Sequence, residues 1–361
     1  KAMGDDNPGF VQFHPSYDYT DFVEGLRTIK GDNEQIRFER KDGMFKDYCK
    51  DAIRLLNEKS VFIWNEIKNS NYRSDGFSYY LTSNEIIVIQ RASEDNMELS
   101  ISKKEFQDIF IAFELLSYKY QETEDIDRGL CFFLQKIKNK VFWPFFCVLF
   151  DKLELSLQPY VFIIDEINRG EISKIFGELF FSIDPGYRGE IGKVYTQYQN
   201  MIEDGDVFKD GFYVPENVYI IGTMNDIDRS VESMDFAMRR RFAWQEVTAE
   251  ESYANMIEND VEFAGIKDEI KARMFNLNNA IAKTEGLNEA YQIGAAYFRK
   301  YLDYQEKGKP FECLWNNHLK GLLFEYLRGN RKAKELLEKL HKAYNKTSID
   351  KQPVHTNEGQ L

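Results

Sequence analysis

Cysteine and histidine are scarce in this chain, with four of each in 361 residues. Cys49, Cys131, Cys147 and Cys313 lie far apart and form no C-x-x-C pair. That excludes a disulfide scaffold and a zinc cluster, and predicts reduced thiols in a cytoplasmic protein. His14, His318, His341 and His355 have no metal-ligand spacing, and His14 before Pro15 reads as a turn residue. No apolar run approaches the roughly 20 residues a membrane helix needs, and no signal peptide is visible. A basic excess is also lacking. The net charge of −13 argues against a general grip on nucleic acid, although a locally basic loop inside an acidic ring stays compatible with it. No G-x-x-x-x-G-K-[ST] phosphate loop occurs: Gly4, Gly9, Gly25 and Gly31 do not lead into Gly-Lys-Ser/Thr, and Gly308-Lys309 meets Pro310. A nuclease-type P-D…(D/E)-x-K cluster is missing as well.

What is present is a pair of apolar runs with polar tips. Val161-Phe162-Ile163-Ile164 ends in Asp165-Glu166. A short apolar run of this kind reads as a parallel strand covered on both faces, and its C-terminal end opens on the crevice where α/β sheets bind ligands. There an Asp can hold Mg²⁺ and the next Glu can polarise a water for attack on a γ-phosphate. Without further context, the pair reads equally as a solvated acidic turn. Val218-Tyr219-Ile220-Ile221-Gly222-Thr223-Met224 repeats the pattern and ends in Asn225, which can orient such a water. Between the runs, the apolar positions of Ile172–Ile183 follow helical spacing and predict one amphipathic crossover helix. Strand, helix and strand form a right-handed βαβ unit with Asp165, Glu166 and Asn225 on one sheet edge. A helix then runs through Met234 and Ala237 to Arg239-Arg240-Arg241-Phe242. Three consecutive arginines are either a solvated helix end or fingers that reach a neighbouring subunit's nucleotide.

Asp165-Glu166-Ile167-Asn168-Arg169-Gly170, Gly222 to Ser230 and Arg239 to Phe242 together resemble the McrB-type branch of the AAA+ motors. So do Phe13 to Arg27, Ile293 to Phe298 and Leu314 to Leu319. The resemblance covers most of the chain outside about 57–156. It implies the GTP-hydrolysing subunit of a modification-dependent restriction system, with an AAA+ P-loop-NTPase-like α/β core, an α+β insertion and an all-α lid. By the same resemblance Asp165 holds Mg²⁺, Glu166 activates water and Asn225 is the sensor. Asp228 lies in the signature loop, and Arg240 and Arg241 act in trans with Arg239 beside them at the nucleotide. GTP is implied over ATP, together with a homo-oligomeric ring (a hexamer), a separate nuclease subunit and DNA engaged through the complex. Ala295-Ala296 replaces a His-Ser pair of the family, so no nucleotide-sensing role is carried over there. The phosphate loop is expected just upstream of Lys1, in a longer protein. The alternative is a non-hydrolysing scaffold or adaptor whose insertion binds a protein or DNA partner.

The expected divisions are 1–56 for the first part of the core and 57–156 for the insertion. Residues 157–248 carry the acidic and asparagine strands, 249–345 form the lid, and 346–361 a polar tail. Within them the pattern predicts a strand over Phe10–Phe13 and a helix over Asp18–Leu26. A strand over Gln35–Arg40 and a helix over Phe45–Leu56 follow, the latter with Phe45, Ala52, Leu55 and Leu56 inward. Later expectations are a helix at Val61–Lys68, a hairpin of Phe77–Thr82 with Glu85–Gln90, and a Ser102/Glu105 capping box for a helix through Leu116. A further helical stretch is expected over Gly129–Leu155. A hairpin near Lys193–Tyr198 would, in a ring motor, face the channel. Lid helices are expected over Glu250–Glu258, Ile266–Lys283, Gly286–Lys300, Leu314–Leu327 and Ala333–Tyr344.

Overall fold

The computed structural model describes residues 9–30, 36–69, 73–74, 77–81, 85–90, 97–107, 110, 159–225, 227 and 236–349. The chain divides into two compact units, Lys1–Asn225 with Ser230–Phe242, and Asp226–Arg229 with Ala243–Leu361.

The first unit is built on a three-stranded parallel sheet in the order β1–β8–β9, with β1 at Gly9–Gln12, β8 at Tyr160–Asp165 and β9 at Val218–Gly222. Phe162 and Ile164 of β8 are fully buried, while Val161 and Ile163, which alternate with them, are half-buried. On β9, Tyr219 and Ile221 are exposed. The two runs are therefore not covered on both faces as expected. Alternate residues are buried, as on a sheet with one packed face among the described residues. That face carries an aromatic core: Phe22 stacks on Phe45 at 4.8 Å, and Phe162 meets Phe45 edge-on at 5.0 Å.

The expected helix over Asp18–Leu26 is only one turn, α1 at Tyr19–Phe22, capped by the Asp18 carboxylate on the Thr20 amide. Beyond it, β2 (Glu24–Lys30) pairs antiparallel with β3 (Ile36–Asp42). The reason is at the start of β2. Gly25 is a poor helix former, and Glu24 is drawn into a buried ion pair with Lys46 at 2.7 Å. Lys46 also approaches Asp42 at 3.6 Å, and Lys50 bridges Asp42 and Asp206. Burial opposes ionisation of Glu24 and Asp42. Even so, the Lys46 and Thr196 hydrogen bonds hold Glu24 below its usual value, and Lys50 and Arg40 do the same for Asp42.

The helix α2, Met44–Asn69, is continuous over 26 residues and merges the two helices expected at 45–56 and 61–68. Its 3.6-residue period turns Ile53 inward and leaves Leu55 38% exposed, against expectation. Residues 73–102 carry an antiparallel sheet of β4 (Arg73–Ser74), β5 (Phe77–Leu81), β6 (Glu85–Gln90) and β7 (Met97–Ser102). It contains the expected hairpin. The Ser102 amide donates to Glu105 Oε2 at 2.9 Å and the Glu105 amide to Ser102 Oγ at 3.3 Å, closing the capping box. The rest of that helix beyond residue 110, and the stretch expected over 129–155, lie outside the described residues.

The crossover is two short helices, α3 (Ile172–Phe176) and α4 (Leu179–Ser182), rather than one. Gly177 separates them at φ +51, ψ −129, a conformation open to glycine and outside the helical region. Apolar spacing continues across the break, which is why periodicity alone misses it. The expected hairpin at 193–198 is replaced by a longer-range bridge, Val194 to Phe212. Buried Phe208 and Phe212 anchor the returning chain, and Gln199 Nε2 donates to the Phe208 and Lys209 carbonyls.

Among its described residues, the second unit has helices and no strand. Its helices are α6 (Ala249–Tyr253), α7 (Lys267–Ala282), α8 (Ala295–Arg299), α9 (Pro310–Leu314), α10 (Lys320–Tyr326) and α11 (Ala333–Tyr344), after α5 (Phe236–Arg239) in the first unit. Its core includes Leu277, Trp315, Leu323 and Tyr344. The helix expected over Gly286–Lys300 survives only as a 3-10 turn at Glu289–Tyr291 and α8. The Asn278 side chain clamps both backbone groups of Ile293, which holds that residue out of a helix. Among the described residues, no helix is long and apolar enough to cross a membrane.

Candidate active site

The parallel register sets Gln12 of β1 directly beside Asp165 of β8, and Ile164 beside Gly222 of β9. One step on, Asp165 therefore lies between Gln12 and Thr223. Gln12 Nε2 donates to Asp165 Oδ2 at 2.9 Å, and Thr223 Oγ1 donates to Asp165 Oδ1 at 2.6 Å. Each carboxylate oxygen thus accepts one neutral hydrogen bond and keeps lone-pair capacity for a cation or its waters.

Past Asp165 the chain turns sharply. Glu166 has φ +53 and ψ +46, in the left-handed region that non-glycine residues seldom adopt. It is the one such non-glycine residue among those described. The corner is pinned by the Glu166 amide on Thr223 Oγ1 at 3.3 Å and the Ile167 amide on the Thr223 carbonyl at 2.9 Å. Arg169 Nε holds Glu166 Oε2 at 3.1 Å. Strain of this kind, held by its surroundings, is characteristic of functional sites.

Asn225 stands three residues past β9 and is exposed. Its carbonyl accepts from Asn168 Nδ2 at 3.3 Å, which ties it to the Asp165–Glu166 corner. Asn168 Oδ1 is buried without a hydrogen-bond partner. Asp228 lies outside the described residues. The arginines differ from one another. Arg241 is folded back on its own chain, with Nε on the Phe180 carbonyl at 2.7 Å, Nη1 on the Ala237 carbonyl at 2.6 Å and its guanidinium 4.2 Å over the Phe180 ring. Arg240 is exposed and Arg239 half-buried.

Among the described residues, no cluster of three or more His, Cys, Asp or Glu side chains could cage a metal. A lone carboxylate with neutral hydrogen-bond neighbours suits Mg²⁺ brought in by a phosphate substrate. That ion takes one or two carboxylates and fills its other positions with waters and phosphate oxygens. Sequence reasoning missed Gln12, Thr223 and Asn168. Thr223 and Gln12 become visible only when the strand ends are aligned in register.

Residues 134–242 match the family model described as "AAA domain (dynein-related subfamily)". This part of the chain is an AAA domain. Beyond the AAA domain match, the chain is 38% identical over 166 residues to the "Type IV methyl-directed restriction enzyme EcoKMcrB subunit" of Escherichia coli (strain K12), covering 45% of this chain and 34% of that protein. It is 29% identical over 105 residues to the "Type II restriction enzyme BsuMI component YdiS" of Bacillus subtilis (strain 168), covering 28% of this chain and 31% of that one. The chain spans about a third of the length of the curated relatives it matches. It is thus a homologue of components of two restriction enzymes, with an AAA domain over residues 134–242.

Proposed function

We propose that this chain belongs to a ring-forming AAA+ nucleoside triphosphatase, preferring GTP, that drives a modification-dependent DNA restriction complex with a separate nuclease subunit. The observation that carries the reading is the row Gln12–Asp165–Thr223 ending in the strained Glu166 corner. Similarity to the two restriction components supplies the system.

Asp165 would hold Mg²⁺, which supplies charge neutralisation at the phosphates. Glu166, projecting from the corner, takes a proton from the attacking water, and Asn225 orients that water. Asp228 belongs to the loop after the sensor. Arg240, exposed at the end of α5, reaches a neighbouring protomer's nucleotide, with Arg239 beside it. Arg241 serves the same element from within, because its guanidinium fixes α5 against α4.

The test is hydrolysis of GTP and of ATP by the full-length protein and by Glu166→Gln. Loss of a general base costs about 10²–10⁴ in turnover and should leave nucleotide binding intact. Normal turnover in that variant overturns the assignment of Glu166. No turnover by the unaltered protein, with assembly indifferent to nucleotide, leaves the scaffold reading instead.

A further inference from the structure

The hydroxyl of Thr223 is shared between the two acids of the corner. The Glu166 amide donates to Thr223 Oγ1, so that oxygen is already an acceptor on one side. Its single proton is then directed at Asp165 Oδ1, 2.6 Å away. The backbone of Thr223 makes the same connection again, with its amide on the Ile164 carbonyl and its carbonyl accepting from the Ile167 amide, both at 2.9 Å. One residue therefore brackets the chain from 164 to 167 and crosses it with its side chain.

We propose that Thr223 is a positioning residue for this site. Its hydroxyl sets the orientation of the Asp165 carboxylate and, through the Glu166 amide, the left-handed corner from which Glu166 departs. Gln12 restrains the other Asp165 oxygen from the opposite strand, so the carboxylate is steered from both sides, and of these two residues it is Thr223 that also bonds the Glu166 amide. The inference rests on the reading of this corner as the hydrolysis site, and it assigns a division of labour within it. Asp165 and Glu166 do the chemistry, and Thr223 keeps the two in one fixed relation.

The test compares Thr223→Val, which keeps the branched shape and loses the hydroxyl, with Thr223→Ser, which keeps the hydroxyl and loses a methyl. Both are made in the full-length protein. The first readout needs no nucleotide: amide hydrogen exchange at Glu166 and Ile167. The second is Mn²⁺ affinity in the presence of a non-hydrolysable nucleotide, read by electron paramagnetic resonance. The third is turnover against Mg²⁺ concentration. Thr223→Val should speed exchange at Glu166 and weaken metal affinity by about 10–100-fold, the usual effect of losing a hydrogen bond behind a metal ligand. Thr223→Ser should stay close to the unaltered protein on all three. Exchange and metal affinity unchanged in Thr223→Val overturn the inference. So does Thr223→Ser behaving like Thr223→Val, because the methyl and not the hydroxyl would then be what matters. Absence of hydrolysis in the unaltered protein overturns the proposed function instead, while the exchange comparison still decides the role of Thr223 in the corner.

Discussion

Lys46 Nζ lies 2.7 Å from Glu24 Oε2 with neither side chain exposed to solvent. This pair joins the first turn of α2 to the start of the β2–β3 hairpin. Through Lys46 on Thr196 and Lys50 on Asp206, the network also holds the segment that follows the crossover.

Lys46→Met would leave buried Glu24 with Arg40 Nη1, 3.0 Å away, as its remaining cationic partner, so the loss should fall below the about 3–5 kcal/mol of a buried pair broken outright. Replacing both partners, as in Lys46→Met with Glu24→Leu, should recover much of that loss. Chemical denaturation of the three proteins checks it, and equal losses in the single and double variants would count against the pair.

The same network sets a pH dependence. Glu24 and Asp42 are held below their ordinary values of 4.5 and 3.8. Their stabilisation is therefore complete above those values and is lost as pH falls through the lowered, folded ones. Lys50 is raised above 10.5 because its bonds to Asp206 and Asp42 outweigh burial, so its share is lost only as pH rises beyond that. Melting temperature against pH should show an acid limb below about pH 4.5 that is shallower in the double variant.

Arg240 and Arg241 should separate by phenotype. Arg240→Ala leaves the melting temperature unchanged and lowers turnover of the assembled protein, by about 10³–10⁵ if it is an arginine finger. Arg241→Ala removes two hydrogen bonds from a charged group and a stacked ring, and destabilises by about 1.5–3 kcal/mol. Mixing Arg240→Ala with Glu166→Gln subunits should restore some turnover, because sites of unaltered composition then form between unlike neighbours. No recovery on mixing counts against action in trans.

Gly43→Ala should be strongly destabilising. A Cβ there would sit 2.4 Å from the Phe22 carbonyl carbon and 2.5 Å from the Val23 nitrogen, and backbone cannot swing aside as a side-chain tip can. Thermal denaturation checks it, with Asp51→Ala on the exposed face of α2 as the mild control.

The acidic strand and the asparagine-tipped strand were legible because an apolar run with a polar end is a local pattern, and both strands formed where expected. The AAA core and its kinship to restriction proteins followed from those same residues. Gln12 and Thr223 were not legible. Their meaning depends on which residue of one strand faces which residue of another, and Gln12 is 153 positions away from Asp165. The β2–β3 hairpin was hidden for a related reason: Phe22 and Leu26 have helical spacing, and what pulls Glu24 out of a helix is a lysine 22 positions later. Gly177 was visible as a glycine, but its left-handed turn competes with an unbroken apolar stripe that spacing rules favour.

β8 is the middle strand of its sheet, hydrogen-bonded to β1 on one side and β9 on the other. An edge strand can peel away alone, whereas this one opens only when two ladders break together. Asp165 and Glu166 are carried on the part of the sheet least able to open by local fluctuation. Heat inactivation should accordingly follow loss of the whole first unit, with no earlier phase in which the protein stays folded but the acidic corner has melted.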